Sequence, residues 1–219
     1  MTIQYKIWTL ALISCLVAAS AMADDSEGAY VFISGGEAFM RNACMSPVIP
    51  SGTSCVERNV AFRGGLGYQY TSMWGLEASY GQFGYASTGG TATFPAPVGP
   101  GNYSWQLKAL GIAIQAVATL HMTDDFSVLA KFGVARVEYD EFLGVQASTS
   151  PTGSWYYSPV VNDKRNTAAL AAGIQYDVTP HGSVRLLVES WGSADIYRIY
   201  GSTTKVRLVT GSVGLMYHY

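Results

Sequence analysis

From Phe62 to Tyr70 and again from Thr167 to Asp177, the chain switches at every residue between a row of apolar side chains and a row of small or polar ones. The first segment sets Phe62, Gly64, Leu66, Tyr68 and Tyr70 against Arg63, Gly65, Gly67 and Gln69; the second sets Ala168, Leu170, Ala172, Ile174 and Tyr176 against Thr167, Ala169, Ala171, Gly173, Gln175 and Asp177. A period of two belongs to a β-strand whose faces meet different surroundings. The same period sets Trp74, Leu76, Ala78 and Tyr80 opposite Glu77 and Ser79, and the even positions from Leu110 to Leu120 opposite Gln115 and Thr119. It also sets the even positions from Phe126 to Val134 opposite Lys131, and Val184, Leu186 and Val188 opposite Arg185 and Glu189. A first strand near Tyr30 to Phe39 and a last one near Lys205 to Tyr219 bring the count to eight.

The connections alternate in length. Short links fall near Thr71 to Met73, His121 to Asp125 and Thr179 to Gly182, and long ones span Met40 to Asn59, Ala86 to Ser104, Asp140 to Arg165 and Gly192 to Thr204. Short periplasmic turns and long extracellular loops are the habit of outer-membrane barrels. A soluble barrel would carry polar outer faces, and these outward rows are Leu, Ile, Val, Phe and Ala. Arg136 and Arg207 share parity with lipid-facing neighbours. A tilted strand climbs about 2.5 Å per residue, which lifts both to the extracellular rim of an apolar band about 25 Å tall. The expected fold is all-β: an eight-stranded antiparallel up-and-down transmembrane β-barrel.

Both termini agree. Lys6, an apolar stretch from Ile7 to Ala19 and Ala21-Met22-Ala23 before Asp24-Asp25 read as a cleaved secretory signal over residues 1–23, leaving a barrel domain over 24–219. The apolar stretch is too short for a spanning helix. Leu12-Ile13-Ser14-Cys15 also fits a lipoprotein box formally, but the segment after Cys15 stays apolar. At the other end, Gly214 followed by Tyr217 and Tyr219 two apart resembles the closing-strand signal read by the barrel-assembly machinery. Export and that strand address the chain to the outer membrane of a Gram-negative bacterium. A net charge of −2 with few charges overall lacks the basic stripe of a nucleic-acid binder. Cys44 and Cys55 share one Pro/Ser/Gly-rich segment with no clustered histidine, so in an oxidising compartment a disulfide is favoured over a metal site. No cofactor is expected.

Phe62-Arg63-Gly64-Gly65-Leu66-Gly67-Tyr68, Gly75-Leu76-Glu77-Ala78-Ser79-Tyr80, Phe126 through Gly133, and Gly173-Ile174-Gln175-Tyr176-Asp177-Val178-Thr179-Pro180 with Ser183-Val184-Arg185-Leu186 recur in order along the chain. Through them it resembles the OmpA-like transmembrane domain, the small porin-family barrel. The resemblance covers nearly all of the mature chain. It implies lumen carboxylates facing Arg and Lys. The chain departs from the family pattern in stopping at the eighth strand, so the peptidoglycan-binding domain that some relatives carry is expected to be missing.

Parity and height give an inward set of Glu37, Glu77 and Glu189 against Arg63, Lys131 and Arg185. An interior this narrow is filled by side chains, so a salt-bridged plug is the first reading. A gated narrow pore, opened by partner exchange among Glu77, Lys131, Arg185 and Glu189, is the second. His121 and His181 fall in turns and His218 at the lower mouth, with no nucleophile placed beside them, so an enzyme is not expected. In the loops, Trp155, Tyr156, Tyr157, Tyr197, Arg198 and Tyr200 are residue types enriched at binding hot spots, and equally at an interfacial girdle. The leading expectation is a monomeric structural barrel whose lumen charges leave room for a narrow gated conductance, with outer-membrane lipid, lipopolysaccharide and, during biogenesis, the assembly machinery as its partners. The alternative is an adhesin or surface-binding protein that takes a host or surface ligand through its long loops.

Overall fold

The computed structural model describes residues 28–45, 55–94, 99–147, 155–157, 161–197 and 203–219. Ten strands follow in chain order: β1 (Gly28–Arg41), β2 (Cys55–Val56), β3 (Arg58–Gln69), β4 (Trp74–Phe94), β5 (Gly99–His121), β6 (Phe126–Ala147), β7 (Trp155–Tyr157), β8 (Val161–Thr179), β9 (Gly182–Tyr197) and β10 (Thr203–His218). Eight of them close an antiparallel barrel in the order β1-β3-β4-β5-β6-β8-β9-β10, and the short β2 and β7 add to β4 and β6. The first and last strands make the seam, from Tyr30 opposite His218 to Arg41 opposite Arg207. Backbones approach closely there, and a Cβ on Gly36 would lie 2.0 Å from the Gly211 carbonyl oxygen.

Two tight turns at the short-linked end share one local device. The backbone N–H of Trp74 donates to Thr71 Oγ1 at 3.0 Å, and that of Phe126 to Thr123 Oγ1 at 3.0 Å. In each, a threonine three residues before an aromatic closes the turn with its own hydroxyl. At this end Tyr70, Trp74, Tyr176, Tyr217 and Tyr219 stand outward and exposed as an aromatic belt, as at a membrane interface.

The wall is unequal. β4, β5 and β6 run 21, 23 and 22 residues, against 14 for β1 and 12 for β3. At about 2.5 Å of climb per residue, roughly ten to twelve residues cross the apolar band, so β4 to β6 and part of β8 rise well beyond it. Much of what the sequence suggested as the loops Ala86 to Ser104 and Asp140 to Arg165 is therefore strand. Ala86 to Phe94 pair with Gly99 to Leu107, Asp140 to Ala147 pair with Gly101 to Lys108, and Val161 to Arg165 pair with Val137 to Glu141.

Two bulges interrupt the ladder at matching heights. β4 gains a residue between Gln82 and Tyr85, and β9 gains one between Ser190 and Ser193. Each contains an aromatic followed by a glycine, Phe83-Gly84 and Trp191-Gly192, and the glycines adopt φ of 64° and 85°. A side chain at such φ is strained. Below the bulges the inward rows are odd-numbered, and above them even-numbered, so Ala86 and Ala194 are buried while Tyr85 and Ser193 are exposed.

Candidate functional site in the barrel lumen

Inward-facing side chains from all eight barrel strands meet in one cluster, polar on seven of them and a methionine on β10. Its hub is Glu77 on β4, 1% exposed. The carboxylate takes Lys131 Nζ from β6, Arg185 Nη1 from β9 at 2.5 Å and Arg63 Nη2 from β3 at 3.5 Å, and it accepts the Tyr30 hydroxyl of β1 at 2.9 Å. A second carboxylate, Glu189, pairs with Arg63 Nη1 at 2.7 Å and accepts Gln115 Nε2 of β5 at 2.8 Å. Arg63 Nη2 also donates to Gln115 Oε1 at 3.1 Å. Arg185 reaches Gln175 Oε1 on β8 at 2.8 Å and lies against Met216 Sδ of β10 at 3.1 Å.

Three cations face two carboxylates here, and the surplus charge is met by aromatic faces. Arg63 lies over Phe32 at 5.1 Å and Trp191 at 5.6 Å, Lys131 over Phe32 at 5.4 Å, and Arg185 over Tyr30 at 5.8 Å. Desolvated cation–π contacts of this kind are each worth about 2 kcal/mol. The rings fit because β3 is bare beneath them. A Cβ on Gly65 would come within 2.7 Å of Phe32, and one on Gly67 within 2.2 Å of Tyr30.

Above the cluster the lumen turns apolar. Phe83 and Trp191, the two bulge aromatics, meet edge to face at 4.6 Å over Gly111, where a Cβ would stand 3.1 Å from both rings. Met40, Trp105, Leu107, Val137, Tyr139 and Leu208 fill the space beyond, all at most 1% exposed. Trp105 Nε1 donates to Glu141 at 2.7 Å. Below the cluster, a cavity of about 930 Å³ opens at the short-turn end between Tyr30, Asp124, Asp177, Arg185 and His218.

Five of the six charges read as inward, Arg63, Glu77, Lys131, Arg185 and Glu189, lie in this cluster. Glu37 does not. On β1 the buried row is even-numbered, through Tyr30, Phe32, Ala38 and Met40, and Glu37 is exposed on the outer face, in the same row as Ile33. Tyr30, Gln115 and Gln175 carry no charge to mark them as members of the cluster, although both glutamines fall on inward rows. Phe83 and Trp191 carried a single signal, the glycine after each. Cys44 and Cys55 form a disulfide with a Cα–Cα distance of 6.1 Å. Trp155, Tyr156 and Tyr157 make up β7, paired with Gln146, Val145 and Gly144, and Tyr197 ends β9 opposite Thr203; Arg198 and Tyr200 lie outside the described residues. Gly214 and Tyr217 lie on β10, and Tyr217 meets Tyr219 edge to face at 5.4 Å. On the projecting wall, hydrogen bonds from Asn162 and Lys164 hold the Glu138 carboxyl below the usual carboxylate range. Among the described residues no group of three or more His, Cys, Asp or Glu side chains could hold a metal ion.

The sequence family described as outer membrane protein beta-barrel domain matches residues 9–218. Among solved structures, the outer membrane protein OprG from Pseudomonas aeruginosa aligns with a TM-score of 0.52 at 14% identity, covering 88% of this chain and 97% of that one. Ail, the attachment invasion locus protein of Yersinia pestis, in complex with the heparin analogue sucrose octasulfate, aligns with a TM-score of 0.49 at 13% identity, covering 89% and 99%. No curated protein sequence matches the chain.

Proposed function

This chain belongs to the outer membrane β-barrel family of the Gram-negative cell envelope, and from that premise we propose that it is a structural, non-enzymatic and non-conducting barrel that carries a tall β-wall at the cell surface. One observation carries this reading: the lumen is filled at two successive levels. Exchange of partners around Glu77 could open the charged level, but the Phe83–Trp191 pair and the side chains around Trp105 still stand above it. A gated pore would have to move both. The charge cluster then works as an internal lock, joining eight strands through one set of ion pairs and hydrogen bonds. In this reading the barrel is monomeric, is exported with loss of residues 1–23, and is folded by the assembly machinery through Gly214, Tyr217 and Tyr219. Planar-bilayer recordings at neutral pH test it: the protein, inserted and heat-modifiable on gels, is expected to give no resolved ion steps. Regular unitary currents would overturn the closed-lumen reading.

A second reading is a surface-binding protein, and the height of the wall from β4 to β6 favours it. Rigid strands place their tips far from the membrane, and β7 lays Trp155, Tyr156 and Tyr157 along that wall. Deleting Ser154 to Ser158 should abolish attachment of expressing cells to a host or abiotic surface while leaving barrel assembly intact. Unchanged attachment would remove these residues from consideration.

A further inference from the structure

On the outer wall, Arg41 of β1 and Arg207 of β10 are direct cross-strand partners, and both are exposed. Like charges directly opposite on one face destabilise a sheet. Two more cations crowd the same sector. Arg58 of β3, opposite Phe39, is exposed with its guanidinium 5.1 Å over that ring, and Lys205 stands exposed two residues along β10 from Arg207. The carboxylates nearby are fewer. Asp195 is the register partner of Lys205, Glu37 lies four residues below Arg41, and Glu57 accepts the Cys44 backbone N–H at 3.1 Å.

Below this corner, the same three strands and β4 form an apolar groove on the lipid-facing wall, about 670 Å³, between Ile33, Phe62, Tyr80, Val213 and Leu215. Gly35 and Gly64 are part of its lining. A Cβ on Gly64 would have no neighbour nearer than 3.6 Å, and one on Gly211 just above would have none within 4 Å, so packing alone does not require these positions to be bare. Arg41, Arg58 and Arg207 each follow or precede a groove residue by six positions: Gly35, Gly64 and Val213. At about 2.5 Å of climb per residue this is roughly 15 Å, half the thickness of a hydrocarbon core.

We propose that this face is a docking site for a phosphorylated glycolipid of the outer leaflet, one acyl chain lying in the Ile33–Phe62–Val213 groove and its phosphates held by Arg41, Arg58 and Arg207. The site rests on the family reading that places the long-loop end outward. A phosphate between Arg41 and Arg207 converts their repulsion into two charge-assisted contacts, and guanidinium is the side chain suited to it. Charge and height together select the occupant. A neutral lipid would leave the arginines opposed, and a soluble anion would leave the groove unused.

The full barrel, reconstituted in phosphatidylcholine nanodiscs doped with diphosphorylated lipid A, dephosphorylated lipid A or phosphatidylglycerol, tests this through the lipid retained on purification into mild detergent. Diphosphorylated lipid A is expected to be retained, and the double variant R41E/R207E to retain about tenfold less or lower still. Filling the groove with Gly64→Leu should also lower retention, whereas Arg136→Glu, on the far side of the barrel, should not. Heat-modifiability of each variant reports folding separately, and Arg41→Gln with Arg207→Gln replaces the reversal if that variant fails to fold. Equal loss with Arg136→Glu would mean a diffuse cationic rim and overturn the site. Retention unchanged in the Arg41 and Arg207 variants would do the same, as would equal capture of phosphatidylglycerol or dephosphorylated lipid A. A barrel that folds and stays electrically silent while failing these tests would lose the lipid site and keep the structural reading.

Discussion

On β5, the outward side chains from Leu120 to Leu110 are Leu, Ala, Ala, Ile, Ile and Leu, whereas the next four outward positions are Lys108, Gln106, Ser104 and Asn102. The inward row reverses in the same place. Thr119 and Gln115 lie inside the lower half among Val117 and Ala113, whereas the upper inward row is Leu107, Trp105 and Tyr103. β6 and β8 change with it, from Val134 to Arg136 and from Ala168 to Asn166. One sheet therefore passes through two solvents without a break in its hydrogen bonding. In the lower half lipid surrounds the wall and the lumen holds the charge cluster set among rings and small apolar side chains; in the upper half water surrounds the wall and the lumen is mostly apolar. The alternation reports that a strand has two faces, and the polarity of each face reports what lies outside.

The sharpest way to break this contrast is to disturb the filling of the lower half. Glu77→Leu leaves Arg63, Lys131 and Arg185 with Glu189 as the remaining carboxylate of the cluster, and loss of one partner from a buried ionic set costs about 3–5 kcal/mol. Urea unfolding in vesicles, followed by the gel shift, should show it; a loss below about 1 kcal/mol would mean that the cluster does not lock the barrel. The boundary can be sharpened next by placing one charge outward on one strand at two heights. Ile114→Arg faces the middle of the apolar band and should cost about 2–4 kcal/mol, while Gln106→Arg, eight residues higher, should change stability by no more than about 0.5 kcal/mol. Similar costs at both would put the water boundary elsewhere. The smallest effect expected from a removal is at the disulfide. Opening the Cys44–Cys55 bridge, which spans a sequence separation of 11, with paired serine substitutions should lower stability by roughly 2–3 kcal/mol in the chain-entropy model. The same urea titration should show it, and a change below about 0.5 kcal/mol would mean that the bridge does not constrain the barrel.

The eight strands were legible because lipid makes the outward rows apolar, and the alternating connection lengths marked which end held the turns. The upper wall was not, for the same reason. Asn102-Tyr103-Ser104-Trp105-Gln106-Leu107-Lys108 alternates as strictly as any segment of the chain, but its polarity is inverted, and among Gly, Pro and Thr it resembles a loop. Glu37 was misplaced because Ser34, Gly35 and Gly36 put small residues on both rows of β1 and erase the contrast between faces. Parity picked out Arg63, Glu77, Lys131, Arg185 and Glu189 as inward, but it could not select Glu77 as the hub. Partners across a lumen depend on how far each strand is staggered against the next, and a single strand does not carry that quantity.

The bulge glycines have a consequence for how such a wall can change over time. Each acts as a phase shifter: below Gly84 and Gly192 one set of positions is interior, and above them the complementary set is. Straightening the bulge at Gly84 with the residue kept would rotate Ala86 and Thr88 to the outside and bring Tyr85 and Ser87 in, while leaving every residue from Trp74 to Gln82 in place. The portion in contact with lipid and the portion raised into water can therefore be rewritten separately, with a single glycine on each of these two strands keeping their alternations compatible.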